Sequence, residues 1–529
     1  MKTQAYQLDG EPGKDITIRD SAGTEITSAD PVAILDFLLR PYPDMKVVWD
    51  VDAFIAPILR LLGLAICRRI ARTHEATFGN DDTGEVFSIF YITGKMVTIK
   101  KAPGGNKARL RATLYGLSGF FNEGEPELRS ASALQELGDN SLKALAEIGI
   151  VPTKLSSPIA AFLSCRKLPR LSTIADTPDP CVGAQLYAEQ CTGKEWREAC
   201  KVGHWASDEC YSYDLSCAYG SVAARLPDLA DAEYTFSAKM IDSACWGFVR
   251  GTVTIRDDVT ISPIMTRIEN GRLINPVGTF DTYLTLDEVR FIERYDIGSF
   301  KLTDGWFINF RHVTTPLAEL MAEMYAYRAH YKMLNNFLKR VPSGIVGKLH
   351  EHYEEDGLGT LFNPIYHAIV TSTVRLKVAQ LIYENDVQEN VIRINTDGLL
   401  VDKPLWIRGS GMGKWRQVES QSTIVLSPEL VFQGGKHPNG MTYGSLRVNI
   451  CQHPKTSVYE DHTIQRRVTL FEAVRDNQLQ MLGKSTQRAA RVDLMLLAGS
   501  QNRNFPDFPR NGEELIGVKF NSTPIILGK

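Results

Sequence analysis

One stretch constrains this chain more than any other: Val391-Ile-Arg-Ile-Asn-Thr-Asp-Gly-Leu-Leu-Val401. Apolar residues flank the tetrad Asn395-Thr396-Asp397-Gly398 on both sides. An Asp-Gly pair between two apolar runs is a hairpin signal. The stretch therefore reads as two buried strands with polar residues at their tip. An ordinary surface turn fits the same pattern, so Asp397 gains meaning only from what accompanies it.

Two further segments stand out. In Tyr211-Ser-Tyr-Asp-Leu-Ser-Cys-Ala-Tyr-Gly220 an apolar strand delivers Asp214 and then turns into a helix-like run ending at Pro227. A carboxylate at a strand end is well placed for a metal, though an Asp that caps the next helix looks the same. In Phe337-Leu-Lys-Arg-Val-Pro-Ser-Gly-Ile-Val-Gly-Lys348 a basic helix is expected to end at Gly344 and Gly347. Between Glu323 and His350 five basic residues, Arg328, Lys332, Lys339, Arg340 and Lys348, stand against the one Glu. A solvated basic face has the same composition.

The chain has 529 residues, which predicts about three or four domains. It is 43% hydrophobic and 23% charged, so a disordered tail, a fibrous repeat and a small disulfide scaffold are excluded. A net charge of −3 excludes a uniformly basic coat but not a local basic groove. None of the nine cysteines forms a CxxC pair. Cys181, Cys191, Cys200 and Cys210 crowd the stretch around His204, but at gaps of nine or ten residues. Zinc sites use tighter ligand pairs, so these read as reduced thiols of a cytosolic protein. The polar run Met1–Gly10 predicts no signal peptide. Ala53–Ile70 contains Pro57, Arg60, Arg68 and Arg69, and reads as one buried helix rather than a membrane span.

The first 150 residues read as α/β. Strands are expected at Asp15–Asp20, Thr24–Thr27, Lys46–Trp49, Val86–Ile92 and Lys95–Lys100. Another is expected at Lys107–Tyr115, after the turn Pro103-Gly104-Gly105-Asn106. A helix over Pro31–Arg40 has Ser28 or Asp30 as its cap. The proline-bearing stretch 151–205 reads as a linker. Helices are expected at Leu286–Tyr295, within Thr315–Arg340, at Pro364–Glu384 and near Leu470–Leu482.

A strand carboxylate, a basic helix and a hairpin carboxylate, in that order, give the layout of a polymerase palm interrupted by fingers. Two carboxylates can hold two Mg²⁺ ions for phosphoryl transfer, and finger lysines neutralise a triphosphate. On these residues the chain resembles family B DNA polymerases of the protein-primed bacteriophage type. Tyr213-Asp-Leu-Ser-Cys-Ala-Tyr219 resembles motif A, Lys339 to Lys348 motif B, and Asn395-Thr-Asp397 motif C. Gly413-Lys-Trp415 resembles the short Gly-aromatic stretch after the palm.

The resemblance implies catalytic and metal-binding roles for Asp214 and Asp397, with Leu215 as a further metal ligand. It implies nucleotide contacts from Tyr219, Arg328, Lys339 and Ser343, with Tyr219 screening the sugar 2′ position. It implies DNA contacts from Gly347, Lys348, Thr396 and Lys414. Three positions depart from the pattern: Val346 replaces the motif B Tyr, Asn395 the first motif C Asp, and Arg393 an aromatic residue. Trp49-Asp50-Val-Asp52-Ala-Phe54 resembles a second exonuclease motif. No Asp-x-Glu pair accompanies it, and Gln135 stands where Tyr is expected four residues before Asp139.

The implied fold class is α+β with an α/β N-terminal domain: a polymerase right hand after a degenerate RNase H-like exonuclease domain. The expected division is a degenerate exonuclease over 1–160 and linker with first palm part over 161–225. A palm insertion for priming-protein contact follows over 226–314, then fingers over 315–346, second palm part over 347–425 and thumb over 426–529. Seven basic residues between 464 and 503, against three acidic, suit a thumb on duplex phosphates.

The implied activity is template-directed DNA synthesis with Mg²⁺, or Mn²⁺ in its place, without proofreading, in viral or mobile-element replication. The implied partners are template and primer DNA, dNTPs and a terminal priming protein. The protein is expected in the cytoplasm, as a monomer or a replication-complex subunit, with no membrane. Two alternatives share the motifs: a primer-independent or template-relaxed nucleotidyltransferase, and a catalytically dead nucleic-acid-binding subunit.

Overall fold

The alternating N-terminal sequence closes into one eight-stranded sheet. Its order is Glu25–Ser28, Ile16–Asp20, Thr3–Asp9, Met45–Val48, Leu110–Gly116, Met96–Ala102, Glu85–Ile92 and Glu75–Asn80. The computed structural model describes residues 2–9, 15–42, 45–80, 84–102, 110–118, 120, 130–165, 168, 179–269, 271–353, 357–434 and 441–528. The turn expected at Pro103–Asn106, the first residues of the strand expected at Lys107, and the side chains of Arg466 and Arg488 lie outside the described set.

The chain divides into two units. One comprises Met1–Leu168, Ala326–Val341 and Gln465–Arg488; the other Pro169–Tyr325, Pro342–Ile464 and Ala489–Lys529.

In the first unit, the central strands Thr3–Asp9, Met45–Val48 and Leu110–Gly116 are parallel, and the outer strands antiparallel. Helix Pro31–Leu39 starts at Asp30, whose carboxylate takes the N–H groups of Val32 and Ala33. Proline at the first helical position completes this start signal. At the other end of that helix, buried Lys46 donates to the carbonyls of Leu38 and Arg40. Burial lowers its pKa to about 8.

The expected single helix over Ala53–Ile70 is instead two, Val51–Leu62 and Leu64–Thr73. The break falls at Gly63, whose φ of 86° no helix interior accepts. Leu470, Ala473 and Leu482 sit in the same apolar core as Leu59, Ile70 and Phe87. The segment around them, expected in a thumb, thus belongs with the N-terminal sheet because its apolar face is buried there. The expected helix near Leu470–Leu482 shortens to Leu470–Arg475.

The expected fingers also divide. Helices occupy Ala318–His330 and Asn335–Lys348. Phe337 stacks on Phe120 at 6.2 Å, and Asn336 donates to the Phe120 carbonyl, which holds the first half of the second helix in the first unit.

In the second unit, a five-stranded antiparallel sheet runs Trp415–Val418, Tyr211–Leu215, Gly398–Val401, Val391–Asn395 and Arg197–Ala199. Tyr213, Ile394, Leu399 and Val401 share one core with Val378, Ala379 and Ile382 of helix Pro364–Glu384. Ile392 and Leu400 join Trp205, Cys210 and Val425 in another. A second sheet orders Ala232–Ser237, Gly298–Phe310, Trp246–Ile255, Val277–Thr285 and Ile526–Leu527.

The stretch 151–205 is not only linker. Within it lie helices Pro158–Leu163 and Asp179–Cys191 and strands Arg197–Ala199 and Lys201–Trp205. Cys181, Cys191, Cys200 and Cys210 are buried and unpaired by disulfides. Burial pushes Cys191 and Cys200 up to about 12, so both stay protonated and pack as small apolar residues. His204 bonds Ser422 at 3.0 Å and Tyr443 at 2.5 Å instead of facing those thiols. No described helix is long and apolar enough to cross a membrane.

Candidate active site

Asp214 and Asp397 are 183 positions apart in sequence, and the sheet pairs Asp214 with Gly398, the residue after Asp397. Asp214 is the penultimate residue of strand Tyr211–Leu215 and lies directly across from Gly398. The Leu215 N–H donates to the Asp397 carbonyl at 3.0 Å, which ties the two strand ends together. Both acids are partly exposed.

The hairpin tip is the two-residue turn Thr396-Asp397, closed by the pair Asn395 and Gly398. Thr396 takes φ of 60°, the sign a tight hairpin turn requires and one a β-branched residue resists. Its N–H donates to the Trp196 carbonyl at 2.7 Å. On the other strand Cys217 takes φ of 52° just before helix Ala218–Ala223. Two strained non-glycine residues thus sit one and three positions from the two carboxylates, as at functional sites.

Tyr219 lies in the first turn of that short helix. Burial, with the carboxylates of Glu195 and Asp397, holds its phenol well above the usual range. The next residue, Gly220, is a point of close approach. A Cβ there would stand 2.6 Å from Cys217 Sγ and 3.1 Å from Pro342 Cβ. The helix bearing Ser343 therefore packs directly on the helix bearing Tyr219.

That second helix does not end at Gly344 and Gly347, as the sequence predicts, but continues through Pro342 to Lys348. Its apolar side, with Leu338, Val341, Ile345 and Val346 buried, carries it past both glycines. Gly347 is exposed with open space where a side chain would stand. Lys348 pairs with Glu351. Arg328 and Lys339 belong to the first unit; Lys339 is exposed, and Arg328 donates to Asn335 at 3.1 Å.

Gly413-Lys-Trp415 closes the site's other side. Gly413 N–H donates to the Ser216 carbonyl, and Ser216 N–H to that of Lys414. Lys414 also stands beside Lys377, which burial, Arg225 and Lys414 together hold below the ordinary lysine range. Sequence reading found Lys414 but missed Arg225 and Lys377, which no motif marks.

It also missed Arg416. This residue pairs directly across from Asp214, and its Nε and Nη2 both donate to Asp214 Oδ2, at 2.9 and 2.6 Å. No sequence signal marks it, because the pairing exists only once strands Tyr211–Leu215 and Trp415–Val418 lie side by side.

Other motif residues have structural duties. Arg393, half-buried, donates to the Pro428 carbonyl, and burial lowers its pKa to about 10. Of the expected thumb cations, Arg467 pairs with Asp50, Arg475 with Asp476, and Arg503 with Glu198. Arg503 is 2% exposed, so burial removes it from any DNA surface.

In the first unit, Asp50 caps helix Val51–Leu62 and accepts from Arg467 at 2.7 Å. Asp52 accepts from Tyr91 and from the Gly94 N–H at 2.5 and 2.6 Å. Asp139 accepts from the N–H and hydroxyl of Thr3. Among the described residues no three His, Cys, Asp or Glu side chains group as a metal site. The pair Asp214 and Asp397 nevertheless fits Mg²⁺, which takes hard oxygen ligands through one or two carboxylates and keeps waters and phosphates for the rest.

Beyond Lys348 the histidines His350, His352 and His367 cluster. His367 stacks on His350 at 4.6 Å and is buried, and burial with His350 lowers its pKa to about 4. The folded state therefore keeps His367 neutral while the unfolded chain titrates near 6.5. Below pH 6.5 the unfolded state binds the extra proton, so stability is full above that pH and falls toward pH 4, by about 3 kcal/mol. Melting temperature should drop between pH 7 and pH 4.5, and less so in His367→Phe. An equal drop in both proteins would contradict this assignment.

No family model and no curated protein matches the sequence. Solved structures do match. The phi29 DNA polymerase complex with primer-template DNA and incoming nucleotide aligns at TM-score 0.57 and 10% identity, covering 93% of this chain and 99% of that one. Its binary complex with primer-template DNA aligns at 0.53 and 10%, over 93% and 100%. An orthorhombic form of the phi29 polymerase aligns at 0.52 and 11%, over 83% and 90%. Over nearly its whole length the chain thus has the fold of phi29 DNA polymerase.

Proposed function

We propose that this protein is a template-directed DNA polymerase that adds deoxynucleotides to a primer end, in viral or mobile-element replication in the cytoplasm. The observation that carries the proposal is the placement of Asp214 and Asp397 side by side at two strand ends, each beside a strained turn. Asp214 and Asp397 would hold two Mg²⁺ ions, with Mn²⁺ as substitute. The ions supply charge stabilisation to the attacking and leaving oxygens.

The protein's own residues do the rest. Tyr219 closes the sugar pocket, Ser343 meets the triphosphate, and Thr396, Gly347, Lys348 and Lys414 meet the DNA backbone. Lys377 and Arg225, beside Lys414, add to the positive charge there. A terminal protein is the proposed primer donor. Asp50, Asp52 and Asp139 are each engaged with separate partners, which supports a domain without proofreading.

Primer extension tests this reading. A primed template with Mg²⁺ and dNTPs should be copied, and neither an unprimed template nor NTPs should support synthesis. Without dNTPs the primer should keep its length; shortening that disappears in Asp52→Ala would show a working exonuclease. A catalytically dead binding subunit would retain the template and extend nothing.

Tyr219 should discriminate by shape, since a ribose 2′-hydroxyl collides with a ring packed under the sugar. Tyr219→Ala should lower the dNTP to NTP ratio of kcat/KM about tenfold or more. An unchanged ratio would leave the ring as a packing residue only.

A further inference from the structure

Arg416 lies on strand Trp415–Val418, at the edge of the five-stranded sheet. It is directly opposite Asp214, so both side chains leave the same face. Both of its N–H contacts fall on one oxygen, Asp214 Oδ2. Arg416 is 60% exposed, and an ion pair this open adds little to folding stability. Its placement on a carboxylate that the proposed chemistry needs calls for another reason.

Two acids at positions 214 and 397 put two negative charges at adjacent strand ends. Arg416 neutralises one of them through its pair with Asp214. A divalent ion approaching Asp214 Oδ2 competes with this guanidinium. It must repel the guanidinium or displace it, and Oδ2 becomes available only once Arg416 has left. The long exposed side chain can swing into solvent when that happens.

We propose that Arg416 is the counter-ion of Asp214, a positioning residue that occupies one carboxylate oxygen and sets the divalent-cation concentration at which the site loads. The inference rests on the two-cation reading of Asp214 and Asp397. Loading is then favoured by whatever brings cation and compensating negative charge together, as a metal-bound triphosphate does. The free protein stays largely unloaded.

The test is direct titration of the full chain with Mn²⁺ alone, followed by the EPR signal of free Mn²⁺. Arg416→Gln should bind Mn²⁺ about tenfold or more tightly than wild type. Arg416→Lys, which keeps the charge, should return to near wild-type affinity. In primer extension, half-saturating Mg²⁺ should fall in Arg416→Gln and not in Arg416→Lys. Asp214→Asn separates the two levels. If it abolishes Mn²⁺ binding while Arg416→Gln binds no more tightly than wild type, the counter-ion role is wrong and the metal site stands. If Asp214→Asn binds Mn²⁺ as wild type does, the metal site itself is wrong, and the role of Arg416 falls with it.

Discussion

Asp214→Asn and Asp397→Asn should each reduce Mg²⁺-dependent nucleotide incorporation by roughly a thousandfold or more, with DNA affinity changed only a few-fold. Asn keeps the shape of Asp and removes the charge, so the strand ends should persist while the ligand strength is lost. Leu215 still donates to the carbonyl of residue 397, a backbone bond indifferent to either substitution. The effect should therefore appear in kcat, measured in single-nucleotide extension, while binding to labelled duplex stays close to wild type. Near-normal synthesis by either variant would show that these acids do not form the catalytic centre.

Arg375→Met should strongly destabilise the second unit. Arg375 lies on helix Pro364–Glu384 at 1% exposure and meets Glu288, itself fully buried, at 2.5 Å. It also donates to the Lys194 carbonyl. Glu288 forms the capping box of helix Leu286–Arg294, accepting from the Thr285 N–H and hydroxyl. Burial raises the Glu288 pKa, but Arg375 and Lys194 lower it further, so it stays ionised.

Removing Arg375 leaves that charge buried with only a strongly desolvated lysine nearby, at a cost of about 3–5 kcal/mol. Arg375→Met with Glu288→Gln removes both charges and should recover much of the loss. Chemical denaturation of the single and double variants measures this. A loss under about 1 kcal/mol in the single variant, or an equal loss in both, would contradict an ion pair that locks the two elements.

Local chemistry made some elements legible from the sequence. Helix Pro364–Glu384 has the bounds its composition predicts, because Asn363 caps it, Pro364 starts it and both faces are apolar enough to be buried. Asp30 and Pro31 announce the first helix in the same way. The Val391–Val401 hairpin follows from its apolar strands and polar tip. The order of three weak motifs located Asp214 and Asp397, and the sheet makes them neighbours.

Long-range packing hid the rest. Gly63 breaks a helix whose apolar pattern runs on through it. Leu470 and Leu482 are typical of any amphipathic segment, and nothing nearby shows that their core lies with residues 54–87. Helix Asn335–Lys348 passes Gly344 and Gly347 because its buried side holds it, and local propensity alone would end it there. Arg416 was invisible as a partner of Asp214 because cross-strand pairing joins residues about two hundred positions apart.

Cleavage by Fe²⁺ tests the central claim most directly. With Fe²⁺ in place of Mg²⁺, and ascorbate and peroxide present, hydroxyl radicals cut the backbone near the bound ion. The predicted result is paired cuts next to Asp214 and next to Asp397, both suppressed by excess Mg²⁺ and both lost in Asp214→Asn. Cuts at only one of these positions, or a pattern indifferent to Mg²⁺, would contradict a shared metal centre built by these two carboxylates.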